Sequence, residues 1–212
     1  VVSNIQFKKK LNKNNIKNFK WIKNLKNNQT KILKILNNFD KIDLHGFTFQ
    51  YKWKIKKKII DKFKLILNFH FGDIPKYRGH NPIIHAMLNK EKFIFGTVHN
   101  IDENFDHGKI VYKFKVENKN ISSKEIELKL TKKFIDYFER IIIKLNNKEK
   151  IYLKKIPKIK GKFYSLSDIQ KLKEVKKFKE ILIKSLAFDY PPHEPAFLKF
   201  GNTKIYLRIK KN

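Results

Sequence analysis

Asn68 and His70 stand two residues apart in the run Leu65-Ile66-Leu67-Asn68-Phe69-His70. Residues at that spacing in an extended segment point to the same side, so an amide donor and a titratable imidazole share one surface. Gly72 and Gly79 follow and, having no side chain, let backbone pass close to a bound molecule. After the next strand candidate comes His99-Asn100-Ile101-Asp102-Glu103-Asn104-Phe105-Asp106-His107-Gly108, dense in acids and imidazoles. If neighbouring strands bring this stretch beside Asn68, a carboxylate meets an imidazole and an amide. A donor, a base and an orienting group are what an acyl transfer requires.

Taken singly, several of these residues have blander readings. His99 reads as support for the loop, His85 as a helix-face residue, Asp102 and Glu103 as solvated loop acids, and Trp21 and Trp53 as core. His80, His85, His99 and His107 include no pair with the helical spacing and accompanying acid that zinc enzymes show, so no metal site is expected.

The elements that must position these groups alternate along the chain. Leu25, Ile32, Leu33 and Leu36 make one apolar stripe at helical spacing. Phe47 to Tyr51 alternates like a strand, Lys54 to Lys62 carries a short amphipathic helix, and Leu65–Leu67 suits a strand buried on both faces. Gly72-Asp73-Ile74-Pro75 signals a loop, and Asn81-Pro82 a helix start with Pro in its first turn. Phe93 to Ile101 and Lys109 to Val116 are further strands, and Ser122-Ser123-Lys124-Glu125 is a capping box opening a helix to about Leu145. Beyond a Lys/Pro-rich joint at residues 154–158 come short helices near Ser167 to Leu172 and Lys177 to Leu186. A hairpin turning at Gly201-Asn202 closes the reading. Alternating strands and helices imply an α/β fold with a mainly parallel sheet, in which ligands sit beyond the carboxyl ends of the strands. Asn68, Phe69 and His70 lie at such an end.

Composition narrows the class. The chain of 212 residues is 41% hydrophobic and contains no cysteine, which rules out disulfides, thiolate metal sites and a cysteine nucleophile and suits a reducing cytoplasm. Lys interrupts every apolar run before it could span a bilayer. The net charge of +31 attracts polyanions. Yet arginine, the favoured group for bidentate phosphate and guanine contacts, occurs only as Arg78, Arg140 and Arg208. Lys, Asn and Ile are enriched along the whole chain rather than on one face. That pattern reads as the codon bias of an AT-rich genome, with lysines on a solvated surface.

Asn68-Phe69-His70, Ile74-Pro75-Lys76-Tyr77-Arg78-Gly79, Gly96-Thr97-Val98-His99 and Asp106-His107-Gly108 occur in that order. Together they resemble the signature of the formyltransferase family, which uses 10-formyltetrahydrofolate; the resemblance covers about residues 47 to 117. Pro75-Lys76-Tyr77-Arg78-Gly79, Phe163 to Ile169 and Pro192 to Phe197 are similar to the nucleotide-sugar N-formyltransferases. That branch acts on dTDP-4-amino-4,6-dideoxyglucose and related sugars of O-antigen biosynthesis. Methionyl-tRNA formyltransferases carry instead a β-barrel C-terminal domain, for which the single hairpin here has too few strands. Gly72-Asp73-Ile74-Pro75 stands where many members have Ser-Leu-Leu-Pro. The family also opens with a strand, a glycine turn and a helix, so the resemblance implies an N-terminal part short by roughly 30 residues, about one strand-plus-helix unit.

The resemblance implies a Rossmann-like α/β catalytic domain over residues 1–150 and a small helix-and-hairpin module over 151–212. It implies formyl transfer from 10-formyltetrahydrofolate to the amine of a nucleotide-linked amino sugar. Asn68 would stabilise the oxyanion, His70 would accept or relay a proton, and Asp106 would hold the imidazole and take up the amine proton. The pterin would sit near Phe49, Gln50, Tyr51, Ile101 and Asp102, and Lys76, Tyr77 and Arg78 would contact the sugar nucleotide. A nucleotide sugar and a second copy of the chain are the expected partners, with no membrane and no specific nucleic acid. Two rival readings are methionyl-tRNA as the acceptor and a non-catalytic basic RNA-binding or remnant domain.

Overall fold

The computed structural model describes residues 29–37, 44–49, 53–157 and 161–210. Leu25, Trp21, Gln50 and Tyr51 lie outside the described residues. The chain groups into two interleaved units. One comprises Val1–His70, Thr97–Lys113 and Lys132–Lys158; the other comprises Phe71–Gly96, Phe114–Thr131 and Ile159–Asn212.

The largest sheet among the described residues has four strands. Its strands are β1 (His45–Phe49), β2 (Leu65–His70), β4 (Phe93–Asn100) and β5 (Ile110–Glu117), in the order β1-β2-β4-β5. Two helices of the N-terminal segment, α1 (Gln29–Leu36) and α2 (Lys57–Ile60), precede β2. The fold is α/β, and the described sheet is mixed: β1 and β2 run parallel, while β4 runs antiparallel to β2. Side chains on a strand alternate between faces, and that alternation divides this sheet. Phe47, Phe49 and Phe69 face the helix α4 (Ser123–Asn146), where Phe49 stacks on Phe69 at 4.2 Å between centroids. Phe138 of α4 meets Phe47 and Phe49 edge-on at 5.0 and 5.7 Å, and Phe134 meets Phe69 at 5.2 Å. Phe69 and Phe134 are at most 1% exposed. Complete burial of such rings supplies about 1.5–3 kcal/mol each, which holds β2 against the helix. The intervening residues Thr48, Asn68 and His70 are left on the opposite face.

In the second unit, the N-terminal turns of α4 start from the expected capping box. The Ser122 backbone N–H donates to Glu125 Oε2 at 2.9 Å, and the Glu125 N–H donates to Ser122 Oγ at 3.3 Å. Two three-residue strands are not legible in the sequence: β3 (Tyr77–Gly79) pairs in parallel with β6 (Lys162–Tyr164). Neither shows alternation long enough to register as a strand. Gly79 has φ 88°, and a Cβ there would stand 2.4 Å from the Tyr164 carbonyl oxygen, so only glycine fits. Helix α3 (Pro82–Leu88) follows Asn81, which adopts a left-handed conformation. The C-terminal elements are α5 (Ser167–Leu172), a 3-10 turn at Phe178–Glu180, α6 (Ile181–Phe188), and the hairpin β7 (Ala196–Phe200) and β8 (Thr203–Leu207). The hairpin turns at Gly201, with φ 55°, and is pinned by Glu194. That carboxylate accepts from Lys173 at 3.0 Å and from Lys204 and Tyr206 at 3.2 Å each. No helix among the described residues is long and apolar enough to cross a membrane.

His85 of α3 is 5% exposed and stacks on Tyr164 at 3.8 Å. Burial, with Lys162 nearby, pushes its pKa from the ordinary 6.5 down to about 4, against a smaller upward pull from Asp168. The folded state therefore holds His85 neutral, whereas the unfolded chain takes up a proton once the pH drops below 6.5. Its stabilising contribution is present above pH 6.5 and is lost as the pH falls from there toward 4. Urea unfolding of the wild type is expected to lose stability across that window, and His85→Phe to lose measurably less; equal losses would contradict the assignment.

Candidate active site

The strand register gathers the site within the first unit. Thr48 on β1 is the neighbour of Asn68 on β2, and Asn68 is the neighbour of His99 on β4, so the three form one row across the sheet. The Thr48 hydroxyl donates to Asn68 Oδ1 at 2.8 Å. That contact turns the amide nitrogen of Asn68 toward His99 Nε2 at 3.1 Å and Asp106 Oδ1 at 3.2 Å. His99 Nδ1 stands 2.9 Å from the Asn100 carbonyl oxygen. A carbonyl only accepts, so Nδ1 carries a proton, and the Asn68 amide beside Nε2 is placed to donate to it.

Asp106 comes from the loop between β4 and β5. Its backbone is left-handed, with φ 48°, a strained conformation of the sort that collects at functional sites. The base of that loop is tied by the Asn100 N–H to the Lys109 carbonyl and by the Ile101 N–H to the Ile66 carbonyl, each at 2.9 Å. Gly108 presses against Asn100: a Cβ on Gly108 would stand 1.7 Å from the Asn100 carbonyl oxygen. Held this way, Asp106 Oδ1 lies 3.4 Å from both His70 Nδ1 and His99 Nε2. The three side chains are 6%, 2% and 10% exposed for His70, His99 and Asp106. A buried carboxylate between two imidazoles and an amide can accept a proton and orient a base.

An open cleft lies over this row. Its lining combines the polar Thr48, Asn68, His99 and Asp106 with Trp53, Ile55, Ile101 and Phe105, together with Lys54, Asp102 and Asn104. The expected residues distribute unevenly. Asn68, His70 and Asp106 come together, and Ile101 and Asp102 line the cleft. Phe49 points the other way into the aromatic layer beneath α4.

Lys76, Tyr77 and Arg78 belong to the second unit. There Tyr77, 3% exposed, donates to Glu91 at 2.7 Å and accepts from Asn89 at 3.0 Å, and Lys76 pairs with the same carboxylate. Burial, with the Glu91 hydrogen bond, drives the Tyr77 phenol well above its ordinary pKa. Arg78 Nε is buried without a hydrogen-bond partner among the described residues.

Thr48 is a site residue that the sequence reading does not name, while His99 and Trp53, read there as loop support and core, line the cleft. The available signal is positional: β4 extends to Asn100, so His99 is a strand residue with a defined face rather than part of the loop.

Residues 43–144 match the formyl transferase family profile. This stretch is a formyltransferase-family domain. Over 95 residues, the chain is 36% identical to the methionyl-tRNA formyltransferase of Finegoldia magna, a match covering 43% of this chain and 30% of that protein. It thus spans less than a third of the length of the curated relatives it matches. The fold resembles that of a 4-N formyltransferase from Francisella tularensis at TM-score 0.70 and 24% identity, covering 87% of this chain and 83% of the other. It also resembles the Helicobacter canadensis N-formyltransferase solved with folinic acid and dTDP-3-aminofucose, at TM-score 0.64 and 24% identity, covering 82% and 64% of the two chains. In the formyltransferase domain described here, the residues Asn68, His70, His99 and Asp106 of the ordered motifs converge on β2, β4 and the loop that follows β4.

Replacing Gly108 by Ala forces a backbone clash in that loop and is expected to cost about 2 kcal/mol or more in urea unfolding. Gly201→Ala, with nothing within 4 Å of the new carbon, is expected to cost only about 1 kcal/mol through its positive φ. Equal costs would show that the loop bearing Asp106 accommodates the methyl group.

Proposed function

We propose that this chain transfers a formyl group from 10-formyltetrahydrofolate to the amino group of a nucleotide-linked amino sugar, of the dTDP-4-amino-4,6-dideoxyglucose kind. The observation that carries the reading is the Asn68 amide, turned so that Nδ2 stands beside a carboxylate held between two imidazoles. On this reading Asn68 donates to the formyl oxygen as negative charge builds on it, an oxyanion-hole role. Asp106 accepts the proton released as the amine attacks, with His70 Nδ1 3.4 Å away to orient the carboxylate, and the proton passes to the donor nitrogen as its bond to the formyl carbon breaks and tetrahydrofolate leaves.

The cleft suits the donor chemically. Trp53, Ile101 and Phe105 offer apolar walls to a flat bicyclic ring, and Asp102, Asn104 and Asp106 offer polar groups for its edge. The donor would bring the activated formyl group; the chain would supply position, a hydrogen bond and a base. For the acceptor, Lys76 and Tyr77 are already engaged by Glu91. Arg78, whose Nε is unpartnered among the described residues, is therefore the better candidate of the three for a pyrophosphate. The folinic acid and dTDP-3-aminofucose bound to the Helicobacter canadensis protein support both halves of the reading.

A second acceptor, methionyl-tRNA, is favoured by the Finegoldia magna relative and by the net charge of +31. Turnover of 10-formyltetrahydrofolate with each acceptor separates the two. Amino-sugar-dependent release of tetrahydrofolate is expected, falling about a hundredfold or more in Asn68→Ala through loss of the oxyanion donor, and falling also in His70→Ala. Turnover no higher than that of His70→Ala would sink the proposal, and turnover with methionyl-tRNA alone would select the second acceptor.

A further inference from the structure

The Asn68 side chain is symmetric in shape but not in chemistry. An oxyanion donor works only if the nitrogen, and not the oxygen, faces the reacting carbonyl. Three neighbours bear on that choice. Asp106 Oδ1, 3.2 Å away, and His99 Nε2, 3.1 Å away, both favour the nitrogen on their side. On the other side stands Thr48, buried to 4% exposure, with its hydroxyl 2.8 Å from Asn68 Oδ1. His99 and Asp106 lose their hold on the orientation whenever they change protonation, because a protonated His99 Nε2 or Asp106 Oδ1 becomes a donor that prefers the amide oxygen. Thr48 does not titrate, and its hydroxyl proton has Asn68 Oδ1 as its acceptor; a turned amide would offer that proton only N–H groups. Thr48 belongs to the same row of the sheet, fixed by the β1–β2 register.

We propose that Thr48 is a positioning residue that acts through Asn68, locking its amide with Nδ2 toward the reacting carbonyl during proton transfer to Asp106. The proposal rests on the formyl-transfer reading above. Its physical content is that Thr48 keeps the amide carbonyl satisfied on the side away from the reaction while the partners on the other side change state. Without the hydroxyl, the amide can turn and present an oxygen to an oxygen that is gaining charge.

Thr48→Val preserves shape and strand propensity but removes the donor; Thr48→Ser keeps the hydroxyl. In the turnover assay, Thr48→Val is expected to lose about tenfold to a hundredfold in kcat with KM for the folate donor nearly unchanged, and Thr48→Ser to recover most of the loss. A purely structural role would instead lower the fraction of folded protein and leave the kcat of the folded fraction intact. A second readout needs no turnover: solvent exchange of the Asn68 side-chain amide protons, assigned by their loss in Asn68→Ala. These are expected to exchange about tenfold faster in Thr48→Val than in wild type, with Thr48→Ser close to wild type. A wild type that turns over no donor removes the function while the exchange measurement still decides the role of Thr48. Equal kcat in wild type and Thr48→Val, or equal exchange, overturns the proposal.

Discussion

Thr48, Asn68 and His99 occupy one row across three hydrogen-bonded strands, and the rest of the site follows from that register. Side chains alternate along a strand with a period of two, so a slip of one residue would send Asn68 beneath α4 and Phe69 into the cleft. What prevents the slip is the other face. Phe47, Phe49 and Phe69 pack against Phe134 and Phe138, and exchanging those rings for an amide and an imidazole would bury unpaired polar groups at a cost of several kcal/mol. The aromatic layer thus holds the polar row in place without touching it.

Asp106 is positioned by different means. No strand carries it; a short loop with a left-handed residue and a glycine packed on backbone delivers it over the row. Loops of this kind can place a carboxylate among buried imidazoles because the chain on either side is anchored in sheet hydrogen bonds. The result is a compact set in which one carboxylate oxygen lies within 3.4 Å of two histidines and 3.2 Å of an amide. The strain at Asp106 belongs to that arrangement, since a relaxed backbone would aim the carboxylate elsewhere.

Much of this arrangement is legible in the amino-acid sequence alone. The unbroken apolar run Leu65–Leu67 marks the central strand. The Ser122–Glu125 box marks the start of the long helix, and Gly201-Asn202 marks the hairpin. Asn68, His70 and Asp106 are legible as chemistry because an amide and an imidazole share one side of a strand's carboxyl end and a carboxylate follows in the loop after a later strand. Other features depend on partners far away in sequence. The alternation of Phe47 and Phe49 puts both on one face but does not say which, and Phe138, some 90 residues on, decides it. The direction of β4 against β2, which makes the described sheet mixed, is set by connection and packing rather than local pattern. His99 falls inside the strand reading of Phe93 to Ile101, but its contact with Asn68 depends on the register of β4 against β2. β3 and β6 are too short to carry a period, and they exist because each supplies the other's hydrogen bonds.

Everything turns on whether Asn68 Nδ2 is the group that meets the formyl oxygen. A crystal structure of the chain with 5-formyltetrahydrofolate, a donor analogue, measures that directly. The expected result is the pterin ring between Trp53 and Ile101, with Asn68 Nδ2 and Asp106 on the side of the cleft where the formyl group is carried. A folate bound away from the Thr48–Asn68–His99 row, or with the Asn68 oxygen facing its formyl group, would contradict it.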